Sequence, residues 1–387
     1  MPLIDSGLPF RVLEVAGPAT APCGRLLAET GADVIKMESP ATGRGPSDTS
    51  SSALFHDTGK RGITLNLHAP QGKVLFEKLA AQVDVIIESL PPGELSHLGL
   101  SFARLSAINP GLVLVSITPF GQDGPYSLFK GNDFVVFAMG GIMFISGEPG
   151  SPPVVAPVQQ SYSLAATHAA LGALSVLWDR SQTGWGDWVD VSMFECLAAQ
   201  ENTITNYVGT GNFARRNGSQ HRTALPSRIL PCRDGFVHVF VTREEVAWKR
   251  FLEWIGNPRD LVDMDLAEIN KRWRYEALVN SVTAEFFRQH TRAELFESAQ
   301  RVHLPCVPVN TPADFLNDPQ TLCYDLVMDV QRPGSGPYRT LRPPVDLVEK
   351  KHVLPAPRVG EHNHEVYRGL VGLGAEDFIR YAEAKII

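Results

Sequence analysis

The chain has 387 residues, 44% hydrophobic and 20% charged, with a net charge of −7 and a pI near 5.9. That length suits one large domain plus a smaller one, each with its own core, and the composition is that of a globular enzyme. The acidic balance and the lack of any Lys/Arg cluster exclude a nucleic-acid surface, and no apolar run reaches the length of a membrane span.

The opening residues, MPLIDSGLPFRVLEV, have neither a basic n-region nor an apolar h-region, so no signal peptide is expected. Five scattered cysteines without a CxxC pair fit a reducing cytoplasm. RVLEV reads as a strand, APCGRLLAETG as a helix ending at a glycine, and ADVIKME as a second strand. PQGKVLFEKLAAQV, residues 70–83, reads as a helix with Val74, Leu75, Leu79 and Ala80 on its apolar stripe and Pro70 at its entrance. DVIIES and LVLVSITPFG are two more strands. Strands apolar on both faces that alternate with helices predict a parallel sheet covered on both sides, a doubly wound α/β lobe. Ligands meet such a lobe at the carboxyl ends of its strands.

Residues 163–178 and 190–208 read as helices, followed by the polar connector GTGNFARRNGSQHRTALPS. GFVHVFVT is a strand, and EEVAWKRFLEWIG, ALVNSVTAEFFRQHT and RAELFESAQRV are helices, which together predict a small α/β lobe. The segment after about 325 is Pro-rich and closes with a helix near 372–384. GTGNFA has the letters of a dinucleotide loop but follows a helix, so that reading is set aside. His362 and His364 in GEHNHE lack metal-binding helical spacing, and Trp248, Phe251 and Trp254 are most simply core. His168, on a small apolar helix face, is expected to be a hydrogen-bonded core histidine.

Several blocks are more specific as an ordered set: LLAETGADVIKMESP, DVIIESLPPGELSHLGL, INPGLVLVSITPFGQDGPY, KGNDFVVFAMGGIM, TGWGDWVDVSMFE, VPVNTPADFLNDPQ and GEHN. Together they resemble the family III CoA-transferases, which include formyl-CoA and carnitine CoA-transferases and α-methylacyl-CoA racemases. The resemblance implies a Rossmann-like large lobe (1–208, completed by 321–387), a linker (209–224), a small lobe (225–320) and an interlocked dimer. It also implies CoA thioesters as substrates and no permanently bound cofactor.

In transferases of this family an aspartate attacks the thioester, forms an anhydride, and is then converted to an aspartyl-CoA thioester that an acceptor acid consumes. Only a carboxylate can carry both acyl states. The family aspartate stands six residues before the helix histidine, and six residues before His168 is Tyr162. A phenol cannot become an acyl thioester, and neighbouring Ser161 and Gln160 are no better. The phosphate grip is altered too. Ser39, His68, Ser89 and His97 stand where relatives carry cationic or polar CoA contacts, and Lys130 is the remaining cation. Charge-assisted contacts of this kind are worth roughly 1.5–3 kcal/mol each. Asn132 before Asp133 also departs from the racemase pair.

The resemblance therefore implies a nucleophile-less subunit of a heteromeric transferase, like the aspartate-less subunit of the succinyl-CoA:benzylsuccinate enzymes. Its partner would be a homologous, aspartate-bearing chain. Two alternatives stay open: a self-sufficient transferase using Asp133 or Glu148, and an acyl-CoA-binding regulatory protein.

Overall fold

The structure, a computed structural model, describes residues 10–40, 50–200, 203–212, 214–221, 223–334, 336–344 and 353–387. The first residues, read for a signal peptide, and part of the Pro-rich return, residues 345–352, lie outside the described residues. Two compact units emerge: Met1–Met143, Val155–Asn212 and Tyr324–Ile387 form one, and Phe144–Val154 with Phe213–Cys323 form the other. Segment 144–154, assigned to the large lobe from sequence, thus groups with the small unit.

The large unit is built on β1 (Arg11–Val15), β2 (Asp33–Glu38), β3 (Arg61–Thr64), β4 (Val85–Glu88), β5 (Val113–Thr118) and β6 (Trp188–Ser192). All pair in parallel in the order β3-β2-β1-β4-β5-β6, so the direction of winding reverses between β1 and β4. Alternate residues go to opposite faces. Val12, Val34, Val85 and Val115 pack on one side, and Leu13, Ile35, Ile86 and Leu114 on the other. Helix α1 (Thr20–Glu29) covers the first face, and α2 (Pro70–Ala80) covers the second. On α2 the buried stripe is Leu75, Phe76, Leu79 and Ala80, whereas Val74 is 53% exposed, one position off the expected face.

Two helices frame the later argument, α3 (Asp133–Met139) and α4 (Gln160–Thr183). Ala165, Ala169, Ala173 and Leu177 recur every four residues on α4 and let it lie against the sheet with α1. His168 falls outside that stripe. It is exposed, with Nδ1 3.0 Å from the Leu164 carbonyl, so it is not the core histidine expected.

Two strands escaped the sequence reading here. β3 is short and holds Arg and Gly. β6, read as the start of a helix, alternates buried Val191 with exposed Trp188 and Asp190 before helices Met193–Gln200 and Thr203–Thr210 begin. Gly211, at φ +69°, closes the second of these helices, which is the place of the GTGNFA motif.

The edge of β3 is blunted by the GEHN block. Gly62 N donates to His362 Nδ1 (3.1 Å) and His362 N donates to Gly62 O (2.8 Å). Thr64 N donates to Asn363 Oδ1 and Asn363 Nδ2 to Thr64 Oγ1, both at 2.8 Å. Side chains thus stand in for a seventh strand, which removes an open edge.

The small unit has a three-stranded antiparallel sheet in the order β7-β8-β9, from β7 (Ala224–Cys232), β8 (Gly235–Thr242) and β9 (Cys306–Pro308). Only the start of β7, Ala224–Ser227, falls in the stretch read as connector; the remainder, with Pro231, was assigned no element from sequence. β7 is an edge strand whose register shifts between Ala224 and Ser227, which accommodates proline. Helices α5 (Glu245–Trp254), α6 (Glu276–Arg288) and α7 (Arg292–Arg301) cover it, burying Trp248, Phe251 and Phe287. Arg272 is fully buried and ties the unit together through carbonyls of Thr242, Arg243 and Ala267 at 2.8–2.9 Å.

Candidate functional site

The carboxyl ends of β1 and β2, with the loops after β3 and β4, enclose a cavity of about 260 Å³ beside the point where the winding reverses. Ala16, Glu38, Ser39, Asn66, His68 and Leu90 are among its lining. This is where a doubly wound sheet receives ligands, because the loops diverge there and backbone groups are left unpaired. Of the residues singled out from sequence, Ser39 and His68 meet in this cavity. Ser89 precedes the lining residue Leu90, and its Oγ lies 2.5 Å from where a Cβ on Gly17 would stand, so the β1 turn passes close beneath it. His97, ending the helix Glu94–His97, and Lys130 are exposed and do not line the cavity.

The cavity is tied to a buried chain of charges. Glu38 lies 3.1 Å from Lys36, Lys36 2.8 Å from Asp57, Asp57 3.3 Å from Lys60, and Lys60 2.6 Å from Glu14. Glu14 and Lys60 are completely buried. Burial pushes the Glu14 carboxyl up, with Lys60 pulling the other way. Burial acts in the same sense on Asp57, but there Lys60 and Lys36 prevail and hold it below its ordinary range. Gly24 on α1 is required here, since a Cβ would come within 1.8 Å of Glu14 Oε2.

A second acid escaped the sequence reading. Glu88 ends β4 at 3% exposure and accepts the Leu90 N–H at 2.6 Å, which fixes the loop lining the cavity. It also shares a hydrogen bond with Ser116, whose Oγ accepts the Trp188 indole N–H at 2.9 Å. Burial raises its pKa to about 7, with Ser116 and the Leu90 N–H opposing and Asp190 assisting. The signal for it was an acid closing the apolar run VIIE, at the end of a parallel strand where sites form.

At the start of α4, Val158 and Gln159 both adopt left-handed backbone, φ +64° and +50°. That is rare for a β-branched residue and marks a chain held by its surroundings. Ser161 N donates to Asp133 Oδ1 at 2.8 Å, and Ser161 Oγ to the Asp133 carbonyl at 3.1 Å. Asp133 thereby ties α3 to the first turn of α4. Tyr162 follows, 8% exposed and packed in the core with Ala165 and Ala166. Glu148 belongs to the small unit, exposed, its carboxylate against Gly218.

Comparison with known proteins defines the class. The model of CoA-transferase family III matches residues 10–363, and the chain belongs to that family. It is 31% identical to a succinyl-CoA–D-citramalate CoA-transferase of Chloroflexus aurantiacus over 393 residues, covering 97% of both chains. It is also 31% identical to succinyl-CoA:(R)-benzylsuccinate CoA-transferase subunit BbsE of Thauera aromatica, over 390 residues and 92% of each. A crystal structure of a CAIB/BAIF family protein from Brucella suis superposes with a TM-score of 0.83 at 29% identity, covering 96% of this chain and 99% of that one. The family's chemistry uses CoA thioesters as substrates and no permanently held cofactor. Among the described residues no helix is long and apolar enough to cross a membrane.

Proposed function

We propose that this chain is the nucleophile-less subunit of a cytoplasmic, heteromeric CoA-transferase. The complex would move CoA from an acyl-CoA such as succinyl-CoA to a free carboxylic acid, with benzylsuccinate as one candidate. The observation that carries the reading is Tyr162: the position of the family aspartate holds a phenol packed into the apolar core. A homologous partner chain supplies the aspartate. Its carboxylate attacks the thioester carbonyl and the C–S bond breaks. The released thiolate then attacks the anhydride at the aspartyl carbonyl, giving the aspartyl-CoA thioester and the free donor acid.

Two features support a partnered chain. A similar protein is itself described as a subunit. The large unit also exposes Leu128 (82%), Phe129 (60%), Leu171 (64%) and Trp178 (63%), apolar side chains suited to burial in an interlocked assembly of large (1–208, 321–387) and small (225–320) lobes.

The test is mass spectrometry after succinyl-CoA and hydroxylamine treatment of the chain alone and mixed with an aspartate-bearing family member. The adduct is expected on the partner. An adduct on any Asp or Glu of the isolated chain overturns the reading. A second reading, self-sufficient transfer, draws on Asp133, whose carboxylate sits at the same helix start as Tyr162. It expects that adduct on Asp133.

A further inference from the structure

We infer that Glu88 is a positioning residue for the loop after β4, and that it holds this loop as an uncharged acid. Seating the loop on a CoA thioester then takes up one proton from solvent. The ligand class rests on the CoA-transferase reading, whereas the coupling is indifferent to which chain supplies the nucleophile.

The first observation is position. Glu88 ends β4 and pairs with Ser116 of β5, which in turn pairs with Asp190 of β6. Its side chain is buried on the sheet face of Ile86 and Leu114. Oε2 accepts the N–H of Leu90, a residue of the cavity lining, at 2.6 Å. Pro91 and Pro92 follow, so the loop is stiff and its course is set where it leaves the strand. The Glu88–Leu90 bond therefore aims the loop.

The second observation is the lack of a counter-charge. Among the described residues no Lys, Arg or His pairs with Glu88. Ser116 on β5 is neutral, and Asp190 on β6 adds like charge while accepting the Gln122 N–H at 2.9 Å. Glu14 on β1 is turned to the opposite face and paired with Lys60 at 2.6 Å. Glu94 and His97, on the short helix after the loop, make no bond to Glu88. Arg104, on the helix Phe102–Ile108, is paired with Glu77 at the surface. A buried carboxylate without a cation is costly, and its acid form much less so. The rise of its pKa to about 7 agrees with this.

The third observation is hydrogen-bonding capacity. With Oε2 kept for Leu90, the proton sits on the other oxygen and is donated to Ser116 Oγ. A hydroxyl oxygen has two lone pairs, so Ser116 can accept that proton and the Trp188 indole N–H together. If the loop lifts, water reaches Glu88 and returns it to the ordinary carboxylate range. Seated and lifted loops thus differ by a proton, and a ligand that selects the seated loop selects the acid form. Because the seated form has the higher pKa, seating weakens as pH rises from the ordinary range towards about 7.

Isothermal titration of the purified chain with succinyl-CoA at about pH 5.5 and about pH 8 tests this, with Glu88→Gln in parallel. An amide offers an oxygen to Leu90 and an N–H to Ser116, so this variant imitates the protonated acid at every pH. The ratio of Gln to wild-type affinity should rise about tenfold between the two conditions. Titration of the ligand's own phosphate cancels in that ratio. Glu88→Ala lacks the acceptor for Leu90 and should bind more weakly than Gln at both. A ratio that does not change with pH overturns the coupling, as does an Ala variant equal to Gln, or no binding of succinyl-CoA at either pH. The subunit reading stands or falls separately, on which chain carries the aspartyl adduct.

Discussion

At the edge of β3, backbone groups are met by side chains 300 positions further along the chain, with His362 and Asn363 answering Gly62 and Thr64. At the start of α4, a second long-range contact brings Asp133 onto Ser161, 28 positions away, and holds two left-handed residues beside it. Both are side-chain clasps on backbone, and both are complete. The difference lies in what each clasp presents. The first presents only a closed sheet edge. The second presents the buried phenol of Tyr162, which the proposed function places where the family chemistry calls for a carboxylate. On the proposed reading scaffold and chemistry have separated: the helix start that would deliver a nucleophile is kept, and the nucleophile comes from a partner.

Scaffold changes should then cost stability, and changes at position 162 should cost no chemistry. The largest expected effect is in the buried charges. Lys60→Met leaves Glu14 unpaired in a site without solvent, and loss of one partner of a buried pair costs about 3–5 kcal/mol. Urea unfolding should show it, and adding Glu14→Leu should recover most of the loss. If the single variant costs under ~1 kcal/mol, the pair is not the closed network described.

Next is Glu88, whose pKa stands at about 7 against an ordinary 4.5. Between those values the folded chain holds a proton that the unfolded chain has released. This contribution is therefore fully present below pH 4.5, falls as pH rises, and is gone above about 7. Glu88→Gln should flatten that slope and gain up to ~3 kcal/mol over wild type at pH 8 relative to pH 4. Urea midpoints at both pH values check it, and parallel slopes in the two proteins would show that Glu88 titrates normally.

Smaller again is the β3 clasp. Asn363→Ala strands the Thr64 N–H and should cost about 1–3 kcal/mol, with faster hydrogen exchange confined to β3 and its neighbours. Exchange that rises evenly across the sheet would count against a local clasp.

What could be read without the structure follows the same division. β1, β2, β4 and β5 were legible because strands buried on both faces are continuous apolar runs. β3 and β6 were not, because RGIT is too short and WVDVS begins on an exposed edge. β7 hid behind two prolines that only an edge strand tolerates. At the site, the family resemblance pointed to Ser39 and His68, which the fold places in one cavity. The roles of Glu88 and Asp133 depend on burial and on distant partners, Ser116 and Ser161, each 28 residues away, which spacing does not encode. His168 was misjudged for a related reason: its apolar neighbours face the sheet while it faces outward.

The smallest expected effect separates the two readings of α4 most cleanly. Asp133→Ala removes the acceptor for Ser161 N and should cost about 1 kcal/mol, as loss of a helix-start acceptor does. Asp133→Asn keeps an oxygen in the same place, so stability should stay within a few tenths of a kcal/mol of wild type. As a clasp, then, Asn is a near-perfect substitute. As a nucleophile it is useless, since an amide cannot form the anhydride. Transfer by the chain mixed with its aspartate-bearing partner should thus survive Asp133→Asn. An Asn variant that folds with wild-type stability yet abolishes transfer would move the chemistry onto this chain, and Tyr162 would be a core residue beside the true nucleophile rather than the mark of a missing one.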